Sequence, residues 1–248
     1  MFKESIEKVA NFTRPIHTIM RFYGGKQIIP GAATLFFVNG EGYAVTCKHV
    51  IEALIASENM QKTLTEFKSE RDKLPKDGKF NSHVKGLELK YKFNSETILQ
   101  MKSTFVDCVD SITGYSWILH PKYDLAIVKF DNYKTLHYSE YAIFRKDPTA
   151  IKQGEFLCRL GFPFPEFNNF QYNVANDDIE WTNTGVKNSP RFPIEGMVTR
   201  FLADEGKLYG IEMSTPGLKG QSGGPLFNKD GIVYGMQFST KHLHLDLI

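Results

Sequence analysis

The strongest constraint on this chain is a serine held between glycines, in the hexapeptide Gly220–Pro225 (GQSGGP). Glycines on both sides of a serine allow a tight, partly left-handed turn that a Cβ atom would obstruct. Such a turn exposes the Ser222 hydroxyl and directs the backbone N–H groups of Gly220 and Ser222 toward one point, where a developing oxyanion would be stabilised. Because a hydroxyl is a weak nucleophile at neutral pH, a serine in this role needs a base.

The candidate base is His49, which follows two segments with the composition of β-strands. The first is the apolar run 34–38 (TLFFV), and the turn-like residues 39–42 (NGEG) separate it from the second, 43–47 (YAVTC). Apolar runs joined by a glycine-containing turn predict a β-hairpin. We therefore expect His49 just past the second strand, at the edge of a packed layer. On its own, a histidine at a strand end is more often an ordinary structural residue.

The candidate for orienting that base is Asp124, which opens the apolar, β-prone segment 124–130 (DLAIVKF). A carboxylate at the start of so apolar a strand is expected to be at least half buried, and a buried carboxylate needs a hydrogen-bonding partner. An imidazole N–H meets that need. On its own, an aspartate before an apolar strand is more often a cap or turn residue, so the interpretation depends on the three segments together.

The three candidates occur along the chain in the order histidine, aspartate, serine. This is one of three chain orders known for the same catalytic geometry. The pattern G-x-S-x-G also marks the nucleophile turn of the α/β-hydrolases, but there the histidine follows the serine after further strands and helices. Only 248 − 222 = 26 residues follow Ser222, which is too few for that arrangement. The strand-rich pattern also argues against an α/β-hydrolase.

With these motifs the chain resembles the trypsin-like serine peptidases with the chymotrypsin double β-barrel, and is closest to their bacterial HtrA/Deg-like branch. The resemblance rests on the hairpin and base at 31–51, the acid-bearing strand at 124–129, the turn at 160–163 (LGFP), and the last strands with the nucleophile loop at 196–199 and 219–237. These segments together span most of residues 31–240. The inserts between them match no pattern of that family.

The resemblance implies a catalytic triad. Ser222 would attack a peptide carbonyl and form an acyl-enzyme, His49 would take the serine proton and pass it to the leaving amine, and Asp124 would hold the histidine tautomer. The backbone N–H groups of Gly220 and Ser222 would form the oxyanion hole. The implied function is that of a serine endopeptidase that hydrolyses peptide bonds with no cofactor and no metal.

The resemblance also implies an all-β fold of two antiparallel six-stranded β-barrels, in agreement with the strand-rich pattern. Residues 1–140 would form an N-terminal helix and the first barrel, which carries the histidine and the aspartate. Residues 141–248 would form the second barrel, which carries the serine. We expect the short amphipathic helix over residues 1–12 and a charged helical insert over 57–79. The long separation of base and acid, 124 − 49 = 75 residues, is attributed to this insert and an extra strand pair near 86–106.

The resemblance places a primary specificity pocket beside the nucleophile. The residue six positions before the serine would lie at its base, and this is Pro216 (222 − 6), so no carboxylate is present there to favour cleavage after Lys or Arg. The expected pocket residues are Ser214, Thr215, Pro216, Gly217, Leu218, Phe238, Ser239 and Thr240. Apart from Phe238 they are small, hydroxylated or apolar. They predict a small or medium apolar residue before the scissile bond.

Composition limits the partners and the location of the protein. The formal net charge is +2, from 30 basic and 28 acidic residues, and no clustered basic face indicates nucleic-acid binding. The sequence has no apolar run of about eighteen residues, as a membrane span needs, and its first ten residues lack the apolar core of a secretory signal. The three cysteines are an odd number with no suggested pairs, and the apolar segments around Cys47 and Cys158 predict buried free thiols at those two positions and a cytoplasmic protein. The expected partner is a peptide or protein substrate, and a regulatory module or partner beyond the C-terminus stays open.

A second function also stays open. The chain would then be a peptidase-like domain that binds peptides without turnover, or one that stays latent until a partner orders its oxyanion loop. Two observations favour it: the long insert, and Phe238, which falls where many members of the resembled family carry a small hydroxyl residue near the triad acid. The presence of all three triad residue types favours the enzyme.

Overall fold

The computed structural model of the protein describes residues 1–112, 114–147 and 150–239. Most strands belong to two antiparallel sheets, each curled into a half-barrel, and the three described helices lie in the N-terminal half of the chain. The expected fold class, a mostly β protein built from two antiparallel barrel units, is confirmed.

The first half of the chain contains the three helices and six strands. In chain order these are α1 (Lys3–Ala10), β1 (Thr13–Phe22), β2 (Ile29–Phe37), β3 (Tyr43–Thr46), α2 (Lys48–Asp72), α3 (Phe80–Tyr91), β4 (Ile98–Phe105), β5 (Gly114–Leu119) and β6 (Ala126–Asp131). The second half contributes β7 (Phe156–Gly161), β8 (Phe170–Asn173), β9 (Asp178–Trp181), β10 (Phe192–Asp204), β11 (Lys207–Met213), β12 (Pro225–Phe227) and β13 (Val233–Met236).

The first sheet has the strand order β4-β1-β2-β3-β6-β5, and every neighbouring pair is antiparallel. Side chains alternate between the two faces of a strand, so the buried Ala126, Val128 and Phe130 of β6 point to one side. In β2 the residues 33–37 are all buried, because the second half of this strand is covered on both faces. The apolar run that predicted a strand at 34–38 therefore lies at the centre of the molecule.

The second sheet has the order β11-β10-β7-β12-β13. Its central strand β7 pairs with β10 on one side and β12 on the other, and contributes the fully buried Leu157 and Leu160 to the core. Five strands form this sheet in the described residues, where six were expected. The aromatic-rich segment between β7 and β10 instead forms a separate two-stranded hairpin, β8-β9.

The expected helical insert is present, but its form differs from the expectation. The helix α2 runs unbroken for 25 residues from the end of β3, so the histidine of the site lies in its first turn. The strand pair expected near 86–106 is wrong, because residues 80–91 form α3 and only β4 is a strand. In α3 the apolar residues recur at helical spacing, and its last residue, Tyr91, packs against Phe67 of α2 with ring centroids 5.5 Å apart.

The strands of the first sheet come from residues 13–131 and those of the second from residues 156–236. The segment between them contacts both sheets, since the Ala142 N–H donates to the Phe37 carbonyl at 2.9 Å and Phe144 forms a bridge with Val233. The helix α1 also reaches the second sheet, with the Phe2 ring against Phe227. The division of the chain at residue 140 remains a prediction.

Two features of the structure bear on where the protein could be located: its helices and its cysteines. None of the helices in the described residues is both long enough and apolar enough to cross a bilayer. The three cysteines are free and buried, in agreement with the free thiols expected at Cys47 and Cys158, and the cytoplasmic location remains a prediction.

Candidate active site

His49 and Asp124 form a doubly hydrogen-bonded pair at one edge of the first sheet. The His49 Nδ1 lies 2.7 Å from Asp124 Oδ2, and the backbone N–H of His49 donates to Oδ1 at 2.9 Å. A proton on Nδ1, directed at the carboxylate, leaves Nε2 free to act as a base. The side chain of His49 is 51% exposed and that of Asp124 is 28% exposed, so the imidazole is open to a ligand while the carboxylate is mostly covered.

Sheet register brings these two residues together. Strands β3 and β6 pair antiparallel, with Thr46 opposite Ala126. The residues just after β3 and just before β6 therefore share one edge of the sheet. The helix α2 begins there, and its N-cap residue Cys47 makes no side-chain cap. The Asp124 carboxylate takes over that role by accepting an otherwise unsatisfied N–H of the first helical turn.

The buried side chain of Cys47 lies close to His49 and Asp124. Its side chain is fully buried, and the thiol donates to the Gln237 carbonyl at 3.2 Å. Burial of the thiol and the neighbouring Asp124 charge raise the pKa of Cys47 far above its usual value. The side-chain ligand atoms of Cys47, His49 and Asp124 lie within 4.8 Å of one another, a spacing that a metal ion could use. Because the thiolate rather than the thiol binds metals, this donor set would hold a metal ion only with loss of the Cys47 proton.

The serine lies in a turn with two left-handed glycines, Gly220 at φ +92° and Gly223 at φ +87°. The N–H groups of Gln221, Gly223 and Gly224 all donate to backbone carbonyls. Within the residues that the structure describes, the N–H groups of Gly220 and Ser222 donate to no atom. The two donors expected to bind an oxyanion are thus the two that the turn leaves unused.

This turn is fixed against the first sheet. The carbonyl of Ser222 accepts the N–H of Thr34 in β2 at 2.9 Å, and the Thr46 hydroxyl donates to the Thr34 carbonyl at 2.7 Å. A Cβ atom on Gly223 would lie 2.0 Å from the Thr34 carbonyl oxygen and 2.3 Å from Thr46 Oγ1. The absence of a side chain at Gly223 therefore allows the serine turn to approach the strands that lead to the histidine.

We expect Gly223→Ala to lower the free energy of unfolding by about 3–5 kcal/mol, from the left-handed backbone together with the clash against two strands. Urea unfolding of the variant and the wild type measures this loss. Gly235→Ala in β13 is the matched control, because a Cβ there meets no atom within 4 Å. The control should change stability by less than about 1 kcal/mol. Equal losses in the two variants would contradict the packing described here.

The histidine and serine segments meet at the carbonyl oxygen of Gln237. It accepts the Cys47 thiol at 3.2 Å and the Gly223 N–H at 2.8 Å. His49 is two residues beyond Cys47, and Ser222 immediately precedes Gly223, so the predicted triad residues occupy one region. In the described part of the chain no hydrogen bond joins Ser222 Oγ to His49. Catalytic hydrogen bonds are often long before substrate binds.

A cavity of about 490 Å³ lies near the serine turn, but its described lining includes no residue of 218–225 and neither His49 nor Asp124. Of the expected pocket residues, it is lined by Thr215, Pro216, Gly217, Phe238 and Ser239. Two others do not line it: the Ser214 hydroxyl accepts the Met197 N–H, and the Leu218 N–H donates to the Gln221 side chain, which braces the turn. Thr240 lies outside the described residues. The assignment of this cavity to substrate remains a prediction.

Arg159 was missed by the sequence reasoning, although it lines the same cavity from β7. A signal was available, because a single charged residue interrupts the otherwise apolar stretch 156–161 (FLCRLG). A charged side chain at the centre of an apolar strand points to a buried polar function or to a specific partner.

The structure holds a hydrogen-bonded serine–histidine pair elsewhere, which the sequence reasoning also missed. His17 Nε2 lies 2.9 Å from Ser189 Oγ, and the imidazole is fully buried and stacked on Phe167 with centroids 3.9 Å apart. Burial lowers the pKa of His17 to about 4. Its Nδ1 has no hydrogen-bond partner among the described residues, so no carboxylate orients the ring. This pair serves packing, and it provides a control for the exposed site.

Comparison with known proteins gives one family. The family model described as "Trypsin-like peptidase domain" matches residues 33–236. The matched range includes His49, Asp124 and Ser222. A search of curated proteins gave no significant match.

Proposed function

The chain belongs to the family of the trypsin-like peptidase domain, and we propose that it is a serine endopeptidase with His49, Asp124 and Ser222 as its triad. The observation that carries the proposal is the double hydrogen bond from His49 to Asp124, at 2.7 and 2.9 Å. It fixes the ring position and leaves Nε2 as the base. The finer placement in the HtrA/Deg-like branch stays part of this proposal and rests on the motifs of the sequence.

In the first half of the reaction, Ser222 Oγ adds to the peptide carbonyl while its proton passes to His49 Nε2. The negative Asp124 carboxylate stabilises the imidazolium that forms. The oxyanion is bound by the free N–H groups of Gly220 and Ser222, and loss of one such donor typically raises the barrier by about 3–4 kcal/mol. The imidazolium then gives its proton to the amine, the C–N bond breaks, and an acyl-enzyme remains.

In the second half, water replaces the amine. Its proton passes to His49 Nε2 as the oxygen adds to the ester carbonyl, and the same two N–H groups bind the oxyanion. Collapse of that intermediate returns the proton to Ser222 Oγ and releases the new carboxylate. The exposure of the imidazole, 51% of its side chain, is what allows water and substrate to reach the base.

A fluorophosphonate probe tests the proposal, because it reacts covalently with an activated serine. We expect the full chain to be labelled, with the label located on Ser222 by mass spectrometry of the digested protein. Ser189→Ala is the matched control, since it removes the serine of the buried pair with His17 and should leave labelling unchanged. A label on Ser189, or on no serine with or without added cell extract in a chain that remains folded, would rule out the triad.

A second candidate is a peptide-binding domain that is silent or waits for a partner. One observation in its favour is that no hydrogen bond joins the Ser222 hydroxyl to His49 in the described residues. The other is the bulky Phe238 ring, which lies beside Gly210 of β11 in the cavity wall. Labelling that occurs only after cell extract is added would indicate activation by a partner. Peptide binding without labelling under any condition would indicate the silent domain.

A further inference from the structure

Arg159 is a buried cation in the second sheet. Its residue surface is only 4% exposed, and it lies in β7 between Ile194 of β10 and Leu226 of β12. Burial of a charge is costly unless a partner of opposite charge compensates it. The guanidinium of Arg159 therefore needs a group that compensates its charge.

Among the described residues, the partners of Arg159 are all neutral. Its Nη1 donates to Gln237 Oε1 at 3.0 Å, and its Nη2 donates to the Thr215 carbonyl and hydroxyl, both at 2.7 Å, and to the Pro216 carbonyl at 3.2 Å. Its Nε is buried and has no partner among the described residues. No carboxylate in the described part of the chain forms an ion pair with it, and burial lowers the pKa of Arg159 below its usual value.

A second buried arginine shows the usual solution. Arg21 is 3% exposed, and its guanidinium contacts the Asp177 carboxylate at 2.7 Å. The two arginines are similarly buried, but within the described residues only Arg21 forms an ion pair with a carboxylate. The neutral acceptors around Arg159 hold the guanidinium in place without neutralising its charge.

Arg159 lines the 490 Å³ cavity, whose described lining includes no residue of the serine turn itself. Gln237 connects the two, because its side chain accepts from Arg159 and its carbonyl accepts the N–H of Gly223, the residue after the serine. The remaining wall is largely apolar and includes Leu202, Leu208, Met213, Leu226 and Met236. The cavity thus combines an uncompensated cation with apolar sides that suit an aliphatic stem.

We propose that this cavity binds the side chain of a glutamate or aspartate at the substrate position just before the scissile bond, with Arg159 as the partner of its carboxylate. This inference rests on the proposed function and specifies its substrate class. A guanidinium suits a carboxylate because its N–H donors form a planar fork, and the unused Nε–H is one of them. The proposal differs from the apolar preference expected from the sequence, because Arg159 lies 56 and 57 residues before Thr215 and Pro216, the two pocket residues that it contacts. That distance kept it out of the expected pocket.

The other charges at the cavity form a pair of their own. Arg200 and Glu212 both line it, and Arg200 donates to the Glu212 carboxylate. The side chain of Arg200 is 59% exposed, so water screens this pair at the rim. Arg200 is therefore a matched control, an arginine of the same cavity that already has a carboxylate partner.

Matched peptide substrates that differ only in the residue before the bond test the proposal. We expect kcat/KM for Glu to exceed that for its neutral isostere Gln by about tenfold to a hundredfold, since a charge-assisted contact is formed only with Glu. In Arg159→Met this ratio should fall to about one, and Arg159→Lys should keep part of it. Arg200→Lys, which keeps the cation that pairs with Glu212, should leave the ratio unchanged. Circular dichroism and thermal unfolding establish that each variant is folded, and Arg159→Lys provides the test if Arg159→Met does not fold.

A binding experiment separates this inference from the proposed function. Ser222→Ala protein is titrated with fluorescent, C-terminally amidated peptides that end in Glu or Gln, so that the side chain is the only variable carboxylate. Tighter binding of the Glu peptide, abolished by Arg159→Met, supports the pocket even if wild-type protein cleaves nothing, in which case the proposed function alone fails. Cleavage without preference for Glu or Asp overturns the pocket and leaves the peptidase standing. Equal binding of the two amidated peptides, with tighter binding seen only when the peptide has a free α-carboxylate, also overturns the pocket. So does a preference for Glu that Arg200→Met removes and Arg159→Met does not.

Discussion

Replacing Ser222 by alanine is expected to lower kcat for peptide hydrolysis by about 10⁶-fold. The variant loses the nucleophile while keeping the Ser222 backbone, whose carbonyl accepts the Thr34 N–H and whose own N–H is one of the two free donors. Substrate binding and oxyanion stabilisation should therefore remain, and a residual rate above that in water should persist. Steady-state kinetics on a peptide that the wild type cleaves measures the loss.

The sharper form of this test compares Ser222→Ala, His49→Ala and the double variant. Residues that act as one unit give strongly non-additive losses. We expect the three proteins to lose nearly the same activity, because the base has no function without the nucleophile and the nucleophile is weak without the base. A double variant much slower than either single variant would show that the two side chains act independently, and would contradict the triad.

Replacing Asp124 by asparagine is expected to lower kcat by about 10⁴-fold with little change in fold. The carboxylate accepts two N–H groups of His49, one from the backbone and one from Nδ1. An asparagine can offer its oxygen to only one of them. If the oxygen keeps the backbone N–H, the amide NH₂ donates to Nδ1 and the ring proton moves to Nε2, so the imidazole can no longer accept the serine proton.

Kinetics at neutral pH and thermal unfolding of the same samples measure these two effects. The matched control is Asp110→Asn, since Asp110 also accepts backbone N–H groups, from Lys134 at 3.1 Å and Thr135 at 3.2 Å. These contacts lower the pKa of Asp110, so its variant should lose some stability and keep full activity. Full activity in Asp124→Asn, or an equal loss of activity in the control, would remove Asp124 from the mechanism.

Much of the fold and part of the candidate site could be predicted locally. The run 34–38 is a strand because its residues are apolar and β-prone, and the serine turn is sharp because glycines occupy its left-handed positions. The chain order of His49, Asp124 and Ser222 also follows from the sequence alone. Each of these features depends on a few consecutive residues, which is the range over which composition and periodicity carry information.

Local patterns failed where packing decides between alternatives. The segment near 86–106 contains enough apolar residues for a strand pair, yet residues 80–91 form a helix whose apolar side packs on α2. The second sheet has five strands in the described residues because the aromatic segment after β7 pairs with itself. In both cases the periodicity of a short apolar run did not identify its partner.

The sequence by itself therefore determined the strand-rich class, the sharp serine turn and the identity of the candidate nucleophile, base and acid. Only the tertiary structure decided that the β3–β6 register brings His49 and Asp124 to 2.7 Å across 75 residues, and that the N–H groups of Gly220 and Ser222 stay unused. It also placed Arg159 in a cavity among neutral partners. These relations join residues far apart in the chain, and they depend on register and burial, which no local pattern encodes.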